Sequence, residues 1–327
     1  MNYKSYADLS SDIKKNLYKL QDKEFDLVVG IPRSGMIPAY MIALGLNINC
    51  TDLLSFINNA NIIKGNTRKT KKEIYQTWDA ENILIVDDSI ASGGSMRSSV
   101  EKIPDDYTGK VTTLAIYSSQ PKRNDVNIFL EYVSFPRVFE WNIFHHAVLS
   151  RSCVDIDGVL CQDPTEEQND DGDKYINFLI NVDSYIIPTY RIHSLVTNRL
   201  EKYRSQTELW LREHNVEYDN LIMLNLKTKE ERQRFGVHSK HKADYYTKSK
   251  LDFFIESDPN QAMNISVMSG KSVYCVADNH LYDPCIINKI SKNPSFILKG
   301  IRRQAQYLPE PLKNIIRPLY RMMVTKF

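Results

Sequence analysis

The 327-residue chain has few cysteines, five in all, and no two of them stand at CxxC spacing. Cys50, Cys153, Cys161, Cys275 and Cys285 therefore predict neither a disulfide framework nor a structural zinc site, and they suit a reducing cytoplasm. No run approaches the roughly 20 consecutive apolar residues that span a bilayer. The N-terminus, MNYKSYADLSSDIKKNLYKL, lacks the apolar centre of a signal peptide. Internal repeats and low-complexity linkers are missing. A net charge of +2 argues neither for nor against a polyanionic partner; nucleic acid is not expected.

What is present reads as a globular protein, with 42% hydrophobic and 25% charged residues. The length is about twice the usual ~150 residues of a domain, so two domains are expected. Charge is unevenly spread. Residues 299–327 hold Lys299, Arg302, Arg303, Lys313, Arg317, Arg321 and Lys326 against Glu310 alone, which leaves the rest of the chain net negative. Such asymmetry predicts a basic, surface-binding tail.

Strand-like and helix-like segments alternate. Strands are expected near residues 26–29, 82–86, 111–117 and 128–133, with helices at 36–46 and 95–102. The pattern restarts after residue ~145 with strands near 151–156, 194–196, 221–224 and 253–255 and a helix at 199–214. Alternation of this kind predicts parallel α/β sheets. The fold class is thus α/β, with two Rossmann-like parallel-sheet domains. The divisions fall at 1–145, 146–298 and 299–327, the last being the basic amphipathic tail. The aromatic boundary near residues 139–150 (FEWNIFHHAV in part) suits packed domains, and His145–His146 lacks the further spacing of a metal site.

In the first half, the apolar run Ile83–Val86 leads into Asp87 and Asp88, then Ser92, Gly93, Gly94 and Ser95, then a helix. Glycines let backbone approach a phosphate, amides at a helix start favour an anion, and the serine hydroxyls add donors. The two carboxylates stand where a ribose diol adjoins that phosphate. Earlier, Val29-Gly-Ile-Pro-Arg-Ser-Gly-Met again joins a strand to a helix, with Arg33, Ser34 and Gly35 in the turn. Between them, residues 64–72 carry five cations and no acid.

This set resembles the type I phosphoribosyltransferases. The resemblance implies that Asp87 and Asp88 bind the ribose hydroxyls of phosphoribosyl pyrophosphate (PRPP), and that Ser92, Gly93, Gly94 and Ser95 hold its 5-phosphate. Arg33, Ser34 and Gly35 then form the pyrophosphate loop. The basic stretch covers the leaving group, by a residue the pattern does not single out. Mg2+ is expected with the substrate.

In the second half, Ser152-Cys-Val-Asp-Ile-Asp-Gly-Val places Asp155 and Asp157 two apart at a strand end. Strand period sends both to one side. This resembles the first motif of haloacid-dehalogenase (HAD) phosphatases, with Asp155 as the nucleophile and Asp157 as the general acid and base. Ser194-Leu-Val-Thr resembles the second motif, with Thr197 on the phosphate. Lys242 is the expected third-motif lysine, with Lys240 and Lys248 as rivals. Phe253-Phe-Ile-Glu-Ser-Asp resembles the fourth, so Asp155, Asp157, Glu256 and Asp258 are the expected Mg2+ set, although the family more often has two Asp where Glu256 and Asp258 stand. Residues 162–173 (QDPTEEQNDDGD) form an acidic loop or a small cap.

Together the motifs resemble bacterial enzymes that build ribofuranose into capsules and O-antigens. That resemblance implies transfer of ribose 5-phosphate from PRPP to a glycan, lipid-linked in such systems, followed by removal of the 5-phosphate. The basic tail would rest on the inner face of the cytoplasmic membrane. Two other readings compete: a nucleobase phosphoribosyltransferase fused to a nucleotidase, and a PRPP-binding regulator without catalysis.

Overall fold

The computed structural model describes residues 1–63, 65, 69–228, 231, 238–285, 310–311 and 313–314. It divides into two compact units, Asn2–Trp141 and the chain from Asn142 onward. Apart from four of its residues, the expected tail at 299–327 lies outside the described residues, as do Lys64 and Arg68.

The first unit runs β1 (Asn2–Lys4), α1 (Tyr6–Asn16), α2 (Tyr18–Gln21), β2 (Leu27–Gly30), α3 (Met36–Leu46), β3 (Asn49–Asp52), α4 (Leu53–Ile57), β4 (Asn82–Ile90), α5 (Gly94–Val100), β5 (Lys110–Ser118), β6 (Ile128–Tyr132) and β7 (Arg137–Phe139). Five strands form one parallel sheet in the order β3-β2-β4-β5-β6, and β1 pairs with β7 apart from it.

Its central strand β2 and the first half of β4 are near-continuous apolar runs because both faces are covered. Val28, Leu84, Val86, Leu114 and Ile116 pack into one core with α1 and α3. Their alternate neighbours Leu27, Val29, Ile83, Ile85 and Ala115 pack into a second core with Leu53, Phe56 and Met96. That is the period of two of a pleated strand, expressed on two buried faces. Each fully buried Leu or Ile contributes about 1.5–3 kcal/mol. α1 opens with a reciprocal cap in which Ser5 and Asp8 satisfy each other's backbone amides. α3 ends where Asn47 adopts the left-handed conformation and donates to Ala43 and Leu44.

The second unit runs β8 (Ser152–Val154), α6 (Asp173–Asn181), β9 (Ile192–Leu200), α7 (Arg204–Glu213), β10 (Tyr218–Leu224), α8 (His238–Lys248), β11 (Phe253–Glu256), α9 (Pro259–Ser269), β12 (Val273–Cys275) and β13 (His280–Tyr282). The sheet order is β10-β9-β8-β11-β12-β13, parallel except for β13. Cys153, Val196, Phe254 and Val273 pack against Ala243 and Tyr246 of α8 and Ala262 and Ile265 of α9. α9 starts at Asp258, whose side chain accepts from the Gln261 amide, and stops at Gly270 in the left-handed conformation.

One element differs from expectation. The helix anticipated from residue 199 begins only at Arg204, because β9 continues to Leu200 and a 3-10 turn follows. Thr197 and Arg199 alternate inward along that strand, both wholly buried. The strand's period, not the helix's, governs them.

Candidate functional sites at the carboxyl ends of the two sheets

In the first unit β2 and β4 run side by side, with Gly30 opposite Val86. β4 extends four residues farther, so Asp87 and Asp88 belong to the strand itself. The turn after β2 folds back over them. A Cβ at Gly35 would lie 2.6 Å from the Ile31 carbonyl oxygen and 2.7 Å from that of Val86, so only glycine allows this approach. Ser34 Oγ then donates to Asp88 Oδ1 at 2.8 Å. The expected pyrophosphate turn and the expected ribose acids are thus joined by a hydrogen bond.

Trp141 Nε1 donates to the other oxygen, Asp88 Oδ2, at 2.7 Å. Sequence reasoning missed this residue, since nothing in its neighbourhood marks an indole 53 positions away as a partner. Trp141 is stacked on Phe139 at 5.0 Å between centroids, and Tyr6 meets it at 5.6 Å. Asp87 is buried, and its Oδ1 accepts from the Asp88 amide at 2.9 Å. Burial, with the Asp88 charge beside it, pushes the Asp87 carboxyl up to about 8. Among the described residues neither acid has a cation within ion-pair distance.

After the acids the chain turns through Ser92 and Gly93 into α5. Gly93 has φ +81°, and a Cβ there would strike the Asp125 carboxylate at 2.2 Å. The N-cap, Gly93, has no side chain, and the Gly94 amide donates to Ser92 Oγ at 3.4 Å. Ser92, Gly94 and Ser95 are exposed, and Arg33 is exposed on the opposing turn. The loop is braced from below: Arg123 Nη1 donates to the Ala91 carbonyl at 2.7 Å, and Arg123 also holds Asp125 with bonds of 2.8 and 2.6 Å. A glycine turn whose exposed hydroxyls and backbone amides lie at a helix start suits a phosphate.

The described part of the basic stretch is elsewhere. The Lys71 amide donates to the Asn47 carbonyl at 3.1 Å, and Lys72 Nζ pairs with Asp26 at 3.2 Å. Asp26 and Asn47 precede β2 and β3, so Lys71 and Lys72 are held at the amino ends of the strands, away from both phosphate turns.

In the second unit the register aligns three strand ends. Ile255 lies opposite Val154, and Val154 opposite Leu195. The next residues are Asp155, Glu256 and, farther along β9, Thr197. Lys242 reaches in from α8. Its Nζ donates to Asp155 Oδ2 at 2.6 Å and to Glu256 Oε2 at 2.8 Å, with Gln261 Oε1 at 3.4 Å. All three charged groups are buried. Lys240 and Lys248 are exposed. Burial alone would lower the Lys242 ammonium, but the two carboxylates more than offset it and hold it well above the usual lysine range. Asp155 is driven up by burial, with Glu256 and Asp157 adding to the effect and Lys242 opposing it.

Asp157 faces Arg199, a residue sequence reasoning assigned to a helix. Arg199 Nη2 donates to Asp157 Oδ1 at 2.6 Å, and Nε lies 3.1 and 3.2 Å from its two oxygens. Alternation from Thr197 was the signal that could have placed Arg199 inward. Thr197 Oγ1 accepts from the Arg199 amide at 3.2 Å. Asp258 caps α9, with Oδ1 accepting from Gln261 N at 2.7 Å.

Among the described residues no three His, Cys, Asp or Glu side chains gather closely enough to hold a metal ion. The donor chemistry nevertheless suits a hard, oxygen-seeking cation. Asp155 and Glu256 together carry more negative charge than Lys242 cancels.

In the acidic loop, Asp170 accepts from the Gly172 and Tyr175 amides, and Asp171 pairs with Lys202 at 2.9 Å. No helix among the described residues is long and apolar enough to cross a membrane.

Residues 2–150 match the family described as phosphoribosyl transferase domain. The first unit is a phosphoribosyltransferase domain of the type I fold. The xanthine-guanine phosphoribosyltransferase of Idiomarina loihiensis is 21% identical over 136 residues, which cover 40% of this chain and 79% of that protein. Its counterpart from Chromohalobacter salexigens is 28% identical over 101 residues, covering 31% of this chain and 60% of that protein. Among solved structures, the Helicobacter pylori xanthine-guanine-hypoxanthine phosphoribosyltransferase aligns at 15% identity and a TM-score of 0.33, over 43% of this chain and 93% of its own.

Proposed function

We propose that this chain is a bifunctional enzyme that transfers a 5-phosphoribosyl group from PRPP at the first site and hydrolyses a phosphate monoester at the second. The observation that carries the second half is the buried Lys242 joining Asp155 and Glu256 at the carboxyl edge of a parallel sheet. Burying three charges is costly to stability, and such clusters are concentrated at functional sites.

In the first step the bond from C1 to pyrophosphate breaks, pyrophosphate leaving with the electron pair, as the acceptor forms its bond to C1 and gives up its proton to solvent. Asp87 and Asp88 hold the ribose hydroxyls, with Asp88 fixed by Ser34 and Trp141. The turn from Ser92 to Ser95 holds the 5-phosphate, and Arg33 faces the pyrophosphate. In the second step Asp155 attacks phosphorus, and the ester oxygen leaves with a proton from Asp157. Water then cleaves the aspartyl-phosphate, with Asp157 taking the proton. Lys242 offsets the charge of the nucleophile, Thr197 binds a phosphoryl oxygen, and Arg199 orients Asp157. If Mg2+ is bound, Asp155 and Glu256 would hold it at the second site, with Asp258 two residues along the chain, and Asp87 and Asp88 would hold it with PRPP at the first; there it would supply charge neutralisation. The Asp157 carboxylate is already engaged by Arg199, which leaves it less free to act as a metal ligand.

For the acceptor, a nucleobase is the reading the comparisons favour, because both curated relatives are named for xanthine and guanine. The aromatic group of Tyr6, Phe139 and Trp141 beside Asp88 suits a flat acceptor. The second reading is a glycan hydroxyl on a surface-polysaccharide precursor. It is favoured by the phosphatase site on the same chain, since removal of the 5-phosphate completes a ribofuranoside but undoes a nucleotide.

The test is mass spectrometry of Asp155→Asn enzyme with PRPP, Mg2+ and panels of nucleobases and aryl or lipid-linked glycosides. One panel gains a ribose 5-phosphate, which wild-type enzyme then trims. Phosphate release undiminished in Asp155→Asn would remove that residue as the nucleophile.

A further inference from the structure

The phosphatase reading raises a difficulty that the chain must solve. PRPP and the transfer product carry the same 5-phosphate, so a phosphatase fused to a PRPP-using domain threatens its own donor. A hollow of about 540 Å³ opens beside the second site, lined among others by Phe144, Gly158, Asp163, Tyr185, Ile186 and Ser257. It lies within the second unit.

Its position makes it the seat of whatever the phosphate is attached to. Ser257 follows Glu256 directly, and its Oγ donates to the Asp157 carbonyl at 3.2 Å. Gly158 follows Asp157 and has φ +72°; a Cβ there would meet the Ser257 side chain at 2.5 Å and Asp163 Oδ2 at 2.6 Å. The hollow therefore begins one residue from each of two site carboxylates. The walls are mostly aromatic and aliphatic. Tyr185 is 56% and Ile186 40% exposed, an apolar rim open to solvent. The one charged lining residue is Asp163, and none of the described lining residues is a cation. Asp163 is exposed at the wall of the hollow, and its partial burial, then Asp157 and Glu256, push its carboxyl up. The hollow thus has three neighbouring acids, Asp157, Asp163 and Glu256, and no lining cation among the described residues, an arrangement that disfavours a further polyanion.

We propose that this hollow is a selectivity subsite that admits the neutral group at C1 of a ribofuranoside 5-phosphate and rejects the pyrophosphate of PRPP. The phosphatase thus acts after transfer, on the product, and spares the donor. This rests on the second unit being a phosphatase. Asp163 supplies the repulsion, and Tyr185 and Ile186 supply the apolar contact; none of the three takes part in phosphoryl transfer.

The experiment compares 5-phosphate release by the full chain from inosine 5-monophosphate, methyl ribofuranoside 5-phosphate, PRPP and p-nitrophenyl phosphate. The wild-type kcat/KM is expected to be about 100-fold higher for the two neutral ribosides than for PRPP, the scale of one repulsive contact of about 2.7 kcal/mol. Asp163→Lys narrows that ratio about tenfold by raising turnover of PRPP. Ile186→Ala raises KM for the methyl riboside severalfold at constant kcat. Equal turnover of PRPP and neutral ribosides, or a ratio unmoved by Asp163→Lys, overturns the subsite while p-nitrophenyl phosphate hydrolysis keeps the phosphatase. Loss of all four activities in the wild type overturns both.

Discussion

The two sites each place a pair of acids at the carboxyl end of a parallel sheet, yet they balance charge in opposite ways. Asp87 and Asp88 have no ion-pair partner among the described residues. Asp88 is held by neutral donors, the Ser34 hydroxyl and the Trp141 indole, at 2.8 and 2.7 Å. Asp155 and Glu256 carry their own cation, Lys242, at 2.6 and 2.8 Å. The first pair has no charged partner of its own among the described residues, which suits the proposed metal-bearing pyrophosphate. The second has its positive charge supplied from within the protein, which suits the proposed nucleophile.

Removing Lys242 should break the comparison most severely. Lys242→Met leaves two buried carboxylates without a partner, at a cost of about 3–5 kcal/mol, and phosphate release should fall about 1000-fold or more. Adding Asp155→Asn should recover part of the lost stability and none of the activity. If denaturant titration finds the single and double variants equally stable, the acids do not depend on the lysine. In the first unit, Asp88→Asn should lower transfer about 100- to 1000-fold and leave hydrolysis of p-nitrophenyl phosphate intact. A matched loss in both assays would mean the two units do not work separately.

A smaller effect is expected of Arg199→Lys. It keeps the charge but loses the forked contact with Asp157, so the phosphatase kcat should drop about tenfold. An unchanged kcat would remove Arg199 as the group that positions Asp157.

The last effect is a pH dependence of stability. The Asp87 carboxyl lies at about 8 in the fold, against 3.8 for the free group. The folded chain therefore holds a proton that the unfolded chain releases, so this contribution to stability is complete below pH 4 and is lost as pH rises through about 8. Asp87→Asn escapes that loss. Its Tm should exceed that of the wild type at pH 8, with the gap narrowing toward pH 5. A constant gap would show that the Asp87 proton is not what changes.

Much of this was legible in the residues. The acid pair followed by Ser92-Gly93-Gly94-Ser95, and the Asp155–Asp157 spacing, are local patterns whose chemistry sits within one turn of chain. Strand positions followed because buried parallel strands are near-continuous apolar runs. The contacts that orient the sites were less visible. Trp141 reaches Asp88 from 53 residues away, and Lys242 reaches Asp155 across 87. Lys240, Lys242 and Lys248 all fell within one polar, lysine-bearing stretch, and only the docking of α8 on the sheet chose between them. Arg199 was misplaced because a helix seemed to start there, while burial on both sides of β9 kept the strand going.

The sequence by itself determined the two parallel sheets, the restart of the pattern near the middle of the chain, and the glycine turn and acids of each candidate site. Each of these rests on neighbours in the chain, through apolar period, glycine freedom and strand-end geometry. Only the tertiary structure decided which distant side chains complete the sites: Ser34 and Trp141 on Asp88, Lys242 between Asp155 and Glu256, Arg199 on Asp157, and Asp163 at the wall of the hollow. Those pairings depend on the register of strands and the docking of helices, which are fixed by packing over long separations.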